Sequence, residues 1–171
     1  MTSVLPRTEN RSQAYVLAPG ELRRHQTFWP GVKADSSDTA GLLGVFEDTI
    51  EPGQPGPPLH MHTNMDEAFY VLEGALLVRL GDQQREVTAG CFVWIPRGTP
   101  HAFANASGHP TRMLGLAIPG GIEDFFADQQ RYFDQLQGPP DPAILGQMGA
   151  RHGSQLLGPP IEIAPPPSAR S

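Results

Sequence analysis

At 171 residues and a formal net charge of −6, the chain has the size of one domain with a substantial core, and it lacks the clustered basic residues that nucleic-acid binding needs. Cys91 is the only cysteine, which excludes an intramolecular disulfide, and no apolar run reaches the length of a membrane helix. The polar opening stretch, with Arg7, Glu9 and Arg11, has no apolar centre of the secretory kind, so a cytoplasmic protein with neither nucleic-acid nor membrane partners is expected.

Residues 1–13 read as a mobile N-terminus. Ala14 to Leu17 are apolar enough for a first strand, ended by Pro19-Gly20. A turn-rich stretch follows, in which Phe28-Trp29-Pro30-Gly31 reads as ordinary aromatic packing or the rim of a pocket, and His25 has no partner at ligand spacing. Asp35-Ser36-Ser37-Asp38 is a polar loop. Leu42 to Ile50 reads as a strand interrupted at Gly44. Residues 52–58 hold four prolines and two glycines, an extended connection that can neither enter a helix nor pair centrally in a sheet.

That connection delivers the chain to its organising stretch. His60 and His62 are two residues apart, so an extended backbone presents both imidazoles on one face. Glu67 breaks that parity, and Thr63-Asn64-Met65-Asp66 must turn or bulge before the carboxylate can face the histidines. His101 arrives from a separate strand after the compact turn Pro96-Arg97-Gly98-Thr99-Pro100. Three imidazole nitrogens and a carboxylate form a donor set that first-row transition metals take from proteins. A lone His-x-His would mean little; the whole constellation is much harder to reach by accident.

Around these residues the chain reads as short strands: Phe69 to Leu72, Leu76 to Leu80, Gln83 to Thr88 after a Gly81-Asp82 hairpin turn, Cys91 to Ile95, His101 to Asn105 and Thr111 to Ile118. His109 falls in an exposed loop, and Cys91 reads as a small buried hydrophobe. Regular turn signals between short strands predict an all-β barrel or sandwich over residues 14–120. Alternation puts Phe69 with Glu67 and Phe103 with His101, so both phenylalanines are candidates for lining a pocket, or are plain core.

After Pro119-Gly120-Gly121 the period becomes helical. Ile122, Phe125, Phe126, Gln129, Phe133 and Leu136 form one amphipathic stripe, with Glu123 and Asp124 in the first turn, where the helix dipole favours acids. A second helix is expected from about Pro142 to Arg151. Residues 121–160 thus form a helical extension, and 161–171 a Pro-rich tail expected to be disordered.

From His60 to Asn105, with Gly74, Gly90, Pro96 and Gly98 between, the stretch resembles the paired motifs of the cupin superfamily, whose fold is a small jelly-roll β-barrel. One position departs from the pattern: Gln54 stands where a glycine is usual, between Gly53 and Gly56. The resemblance implies that His60, His62, Glu67 and His101 bind one divalent transition metal per chain, among iron, nickel, manganese, cobalt, copper and zinc. Together with the acidic aromatic helix and the terminal Gly158-Pro159-Pro160, residues 14–160 resemble small single-domain cupins of the quercetinase-like (quercetin 2,3-dioxygenase-like) kind. That likeness implies a dioxygenase using molecular oxygen on a small aromatic, polyphenolic or enolizable substrate, with Glu67 both ligand and acceptor of a substrate proton. A redox-neutral cupin, either an isomerase, a polyketide-type cyclase or a small-molecule binding module, is the alternative. The resemblance also implies a homodimer paired through N-terminal strands, which would cover the open sheet edges.

Overall fold

The structure, a computed structural model, describes residues 13–23 and 30–163. The described residues form ten strands and two helices: β1 (Gly31–Ala34), β2 (Gly44–Ile50), β3 (His60–His62), β4 (Asp66–Glu73), β5 (Ala75–Leu80), β6 (Gln83–Thr88), β7 (Phe92–Ile95), β8 (His101–Ala104), β9 (Thr111–Ile118), α1 (Ile122–Asp134), α2 (Pro142–Arg151) and β10 (Ser154–Leu156). Two five-stranded antiparallel sheets, ordered β1-β2-β9-β4-β7 and β10-β3-β8-β5-β6, face each other as a jelly roll.

The alternation of side chains builds the interior. On β2, Phe46, Asp48 and Ile50 are buried while Val45, Glu47 and Thr49 are half-buried on the outside. Outside, Glu47 takes Lys33 Nζ at 3.1 Å and Arg112 Nη2 at 2.7 Å. Inside, Phe46, Phe69, Val71, Leu76, Ile95, Phe103 and Met113 belong to one core. The register of β9 with β2 and β4 sets which interior residues share a level: Ala117 lies between Gly44 and Glu67, and Met113 between Asp48 and Val71.

The helices lie over this core. Glu123, itself buried, accepts from Gly121 N at 3.0 Å and from Ser36 N at 2.7 Å, tying the start of α1 to the loop after β1. Phe126 meets the edge of Phe46 with ring centroids 5.2 Å apart. Asp141 caps α2 by accepting from Ala143 N at 2.8 Å, with Pro142 in the first turn. His152 Nε2 and Asp128 Oδ2, 2.7 Å apart, join the end of α2 to α1.

Several elements differ from the sequence reading. Ala14 to Leu17 form no strand; the first described strand is Gly31–Ala34, in the stretch that reads as turns. The reason is pairing: Gly31 and Val32 find Glu47 and Phe46 on β2, whereas an apolar run without a partner strand has nothing to bond. Gly44 opens β2 instead of interrupting it, where a Cβ would stand 3.3 Å from Glu123 Oε2. Ser154–Leu156, with no apolar alternation, becomes β10 because its backbone pairs with β3, Ser154 opposite His62. Helix α1 ends at Asp134, two residues before Leu136. Cys91 is half-buried and just precedes β7. The expectations for residues 1–12, for His25 and Phe28-Trp29, and for 164–171 lie outside the described residues. Among those described, no helix is long and apolar enough to cross a membrane.

Gly115 on β9 is the space into which Phe46 packs, since a Cβ there would come within 2.1 Å of the ring. Gly115→Ala is expected to displace Phe46 from beneath Phe126 and lower unfolding free energy by about 1–3 kcal/mol, the usual cost of overpacking. Urea unfolding of the metal-free protein measures it; an unchanged midpoint would show that Phe46 yields at no cost.

Candidate metal centre

Three strands place four donor side chains together. β3 supplies His60 and His62, buried on either side of half-buried Met61, as the two-residue period requires. After the bend at Thr63-Asn64 and buried Met65, β4 begins at Asp66, so Glu67 turns inward. Asp66 points the other way and is paired with Arg97 at 2.9 Å. β8 begins at His101, directly opposite His60. The donor atoms of His60, His62, Glu67 and His101 all lie within 4.8 Å of one another, and all four residues are buried. Two donors on opposite sides of a first-row ion, each at about 2.0–2.2 Å, stand about 4.4 Å apart, so the cage is near the size that such an ion would draw together.

The hydrogen bonds fit a metal. His60 Nδ1 donates to Pro58 O at 2.8 Å and His101 Nδ1 to Thr99 O at 2.9 Å. A carbonyl can only accept, so each ring holds its proton at Nδ1 and turns the Nε2 lone pair toward the cage. His101 Nε2 then faces Glu67 Oε2 at 3.0 Å. Two acceptors at that distance require positive charge between them, from a proton or a cation. Neither nitrogen of His62 has a hydrogen-bond partner among the described residues; Nε2 lies 3.4 Å from Glu67 Oε2 without bonding it. A buried imidazole without a partner is costly unless something else engages it, and a metal ion is what these donors suit.

The charge states agree. Burial pushes His60 down to about 4, reinforced by His101 and His62, so the ring is neutral at physiological pH. Burial alone would raise Glu67, but its contact with His101 Nε2 at 3.0 Å and the nearby His62 imidazole outweigh it and hold the carboxyl at about 2. A neutral His60 ring and an ionised Glu67 carboxylate are the forms in which each ligates a cation.

The cage opens into a cavity of about 410 Å³, within the range of small-molecule sites. His60, His62 and Glu67 share its wall with Phe46, Phe103, Phe125, Phe126 and Phe133. Phe103 is thus in the lining, while Phe69 is packed behind it, ring centroids 5.1 Å apart and 1% exposed. The alternation that points both inward does not distinguish the layer touching the cavity from the one beneath.

Asp48 is a lining residue that the sequence reading passed over. It is 7% exposed, and its Oδ1 has no hydrogen-bond partner among the described residues. The available signal was parity: in Val45-Phe46-Glu47-Asp48-Thr49-Ile50, Asp48 shares a face with Phe46 and Ile50.

Residues 46–118 match the model of the cupin domain. They are a cupin domain. The chain is 28% identical over 128 residues to quercetin 2,3-dioxygenase from Bacillus subtilis, an alignment covering 74% of this chain but 37% of that enzyme. Among solved structures it resembles the polyketide cyclase RemF from Streptomyces resistomycificus, with a TM-score of 0.52 and 26% identity over 62% of this chain and 80% of that one. It also resembles a conserved double-stranded β-helix protein from Klebsiella pneumoniae, with a TM-score of 0.53 and 17% identity over 64% of this chain and 93% of that one, which bears on the fold alone. The chain spans just over a third of the length of the quercetin dioxygenase that it matches.

Two measurements follow. One metal ion per chain is expected in protein purified without added metal, and the His60→Ala/His101→Ala double variant should lose it; stoichiometric metal in that variant would place the site elsewhere. The second concerns Asp48, whose carboxyl burial pushes up to about 7, opposed only by a backbone hydrogen bond at Thr49. As pH rises above about 4 the unfolded chain releases this proton before the folded one does, so the stability linked to it is full below about 4 and lost through about 7. Asp48→Asn should therefore gain stability relative to the parent between pH 5 and pH 8. A constant difference by chemical unfolding across that range would contradict it.

Proposed function

We propose that the protein is a metal-dependent cupin dioxygenase acting on a small aromatic, polyphenolic substrate. The observation that carries this reading is the wall of the cavity. Five phenylalanines surround the approach to the cage, and no lysine or arginine stands among the described lining residues. A phosphorylated or carboxylated substrate would call for cationic partners, whereas flat, uncharged rings fit an aromatic wall. The similarity to quercetin 2,3-dioxygenase supports the same substrate class.

A divalent ion held by His60, His62, Glu67 and His101 would polarise a substrate oxygen and, where redox-active, take part in electron transfer with molecular oxygen. The protein's own groups do the rest. His60 and His101, each fixed through Nδ1 by a backbone carbonyl, keep their Nε2 atoms aimed at one point. Phe46, Phe103 and Phe126 confine the substrate rings, and α1 and α2 limit access of water. Glu67, ionised inside the cage, accepts the proton of a substrate hydroxyl brought to it, so that the oxygen reacts as its anion.

Redox-neutral cyclisation is the second reading, favoured by the likeness to the polyketide cyclase RemF. It uses the same aromatic wall and cage, and zinc would suffice for it. Oxygen uptake separates the two: consumption of quercetin with matching dioxygen uptake supports the first, and turnover of an aromatic polyketide without uptake the second. We further infer a homodimer, because β1, β6, β7 and β10 are the outer strands of their sheets and Tyr70, Phe92 and Trp94 leave apolar surface on and beside β7. A monomer mass by light scattering at micromolar concentration would contradict it.

Glu67→Gln removes basicity while keeping size and one donor oxygen. It should retain most of the metal through the three histidines and lose about 10²- to 10⁴-fold in turnover. Full metal with parental turnover would exclude Glu67 as the base.

A further inference from the structure

Asp48 stands in the wall of the cavity without a structural reason to be there. Its neighbours on the same face of β2 are Phe46 and Ile50, and its Oδ1, shielded from solvent, has no partner among the described residues. The charges nearest in sequence do not serve it: Glu47 faces outward, where it pairs with Lys33 and Arg112. A buried carboxyl with one oxygen unpartnered in an apolar wall costs stability that a leucine would not. Glu123 shows the contrast, since both of its oxygens are used by backbone N–H groups. Asp48 is also well separated from the cage. Across β9, Glu67 is level with Gly44, and Asp48 is four positions further along β2, about 13 Å of strand.

The geometry points to Asp48 as a second substrate-binding group, whose carboxyl receives a hydroxyl of an aromatic molecule bound at its other end by the His60, His62, Glu67 and His101 cage. This rests on the aromatic-substrate reading and sharpens it: the substrate carries a metal-binding oxygen pair at one end and a hydroxyl remote from it. The phenylalanines between the two polar ends hold the rings, and the unpaired Oδ1 is satisfied only when that hydroxyl arrives. The protein's preference is therefore for polyhydroxylated over singly hydroxylated rings, because a buried acceptor left unpaired penalises the ligand that lacks the donor.

The test compares two flavonols on zinc-loaded protein without oxygen, zinc being redox-inert so that neither ligand is consumed. Quercetin carries the chelating oxygen pair and remote hydroxyls; 3-hydroxyflavone carries the chelating pair alone. The parent should bind quercetin more tightly, and Asp48→Leu should reduce that preference by about 3- to 10-fold, the worth of a hydrogen bond between uncharged groups, with metal content unchanged. Metal-free Asp48→Leu and Asp48→Asn should unfold at the parental denaturant midpoint or above it. An unchanged preference in Asp48→Leu, with both ligands bound by the parent, overturns the role of Asp48 alone. Failure of the parent to bind either flavonol overturns the substrate reading and this inference with it. A lower unfolding midpoint in both variants overturns it too, by showing that Asp48 supports the fold.

Discussion

The constraint on which the rest of the structure depends is the burial of three imidazoles and a carboxylate at one place inside a small β-barrel. Polar groups removed from water must find partners, and here they find each other only in part: His101 meets Glu67, while His62 has no hydrogen-bond partner at either nitrogen. What the cage lacks, the surrounding backbone supplies at its back. The carbonyls of Pro58 and Thr99 fix the proton on each ring, and both lie in the connections just before the strands that carry the histidines. The proline-rich approach to β3 and the Pro96–Pro100 turn before β8 thereby orient ligands as well as connect strands. An interior organised in this way gives up stability for an arrangement that a cation completes.

The second consequence concerns the side of the barrel where the cavity lies. Both β2 and β10 contribute to its wall, and α1 and α2 cover it. The helices do so with aromatic surface: Phe125, Phe126 and Phe133 line the cavity, and Phe126 also belongs to the barrel core. Their connection to each other is polar, through His152 and Asp128 on one side and the bond from Asp141 N to the Tyr132 hydroxyl on the other. The apolar stripe of α1 therefore serves both packing and the cavity wall, two roles that periodicity alone cannot tell apart.

Legibility in the sequence followed the strength of local signals. The period-two pair His60 and His62, the five-residue step to Glu67, the Gly81-Asp82 hairpin and the acidic start of α1 are local, and the structure has strands β3 to β9 and both helices within a few residues of where those signals put them. β1 and β10 depend on a partner distant in the chain. Nothing in Gly31–Ala34 or Ser154–Leu156 announces a strand; they pair because β2 and β3 offer free edges. Ala14 to Leu17 show the converse, apolar residues without an edge to join. Asp48 was hidden differently. Its parity was readable, but an acid beside another acid on a strand looks like solvated surface, and only the closed barrel shows that one faces outward to Lys33 and Arg112 and the other faces the cavity.

The two carboxyl groups in the cavity wall are driven in opposite directions. Glu67 is buried against imidazoles that favour its charge, and it stays ionised down to about 2; Asp48 is buried against apolar neighbours without a compensating cation, and it keeps its proton up to about 7. Environments that separate two like groups in this way divide their chemistry between them. The cage end carries fixed negative charge that belongs with a cation and with an oxygen losing its proton. The Asp48 end is close to neutral and suits a group that keeps its hydrogen. A cavity with such different ends, separated by aromatic walls, imposes a direction on any molecule that spans it: the more acidic oxygen goes to the cage and the less acidic hydroxyl to Asp48. Which bond is presented for reaction thus follows from where the two acids sit on β2 and β4, before the identity of the metal enters.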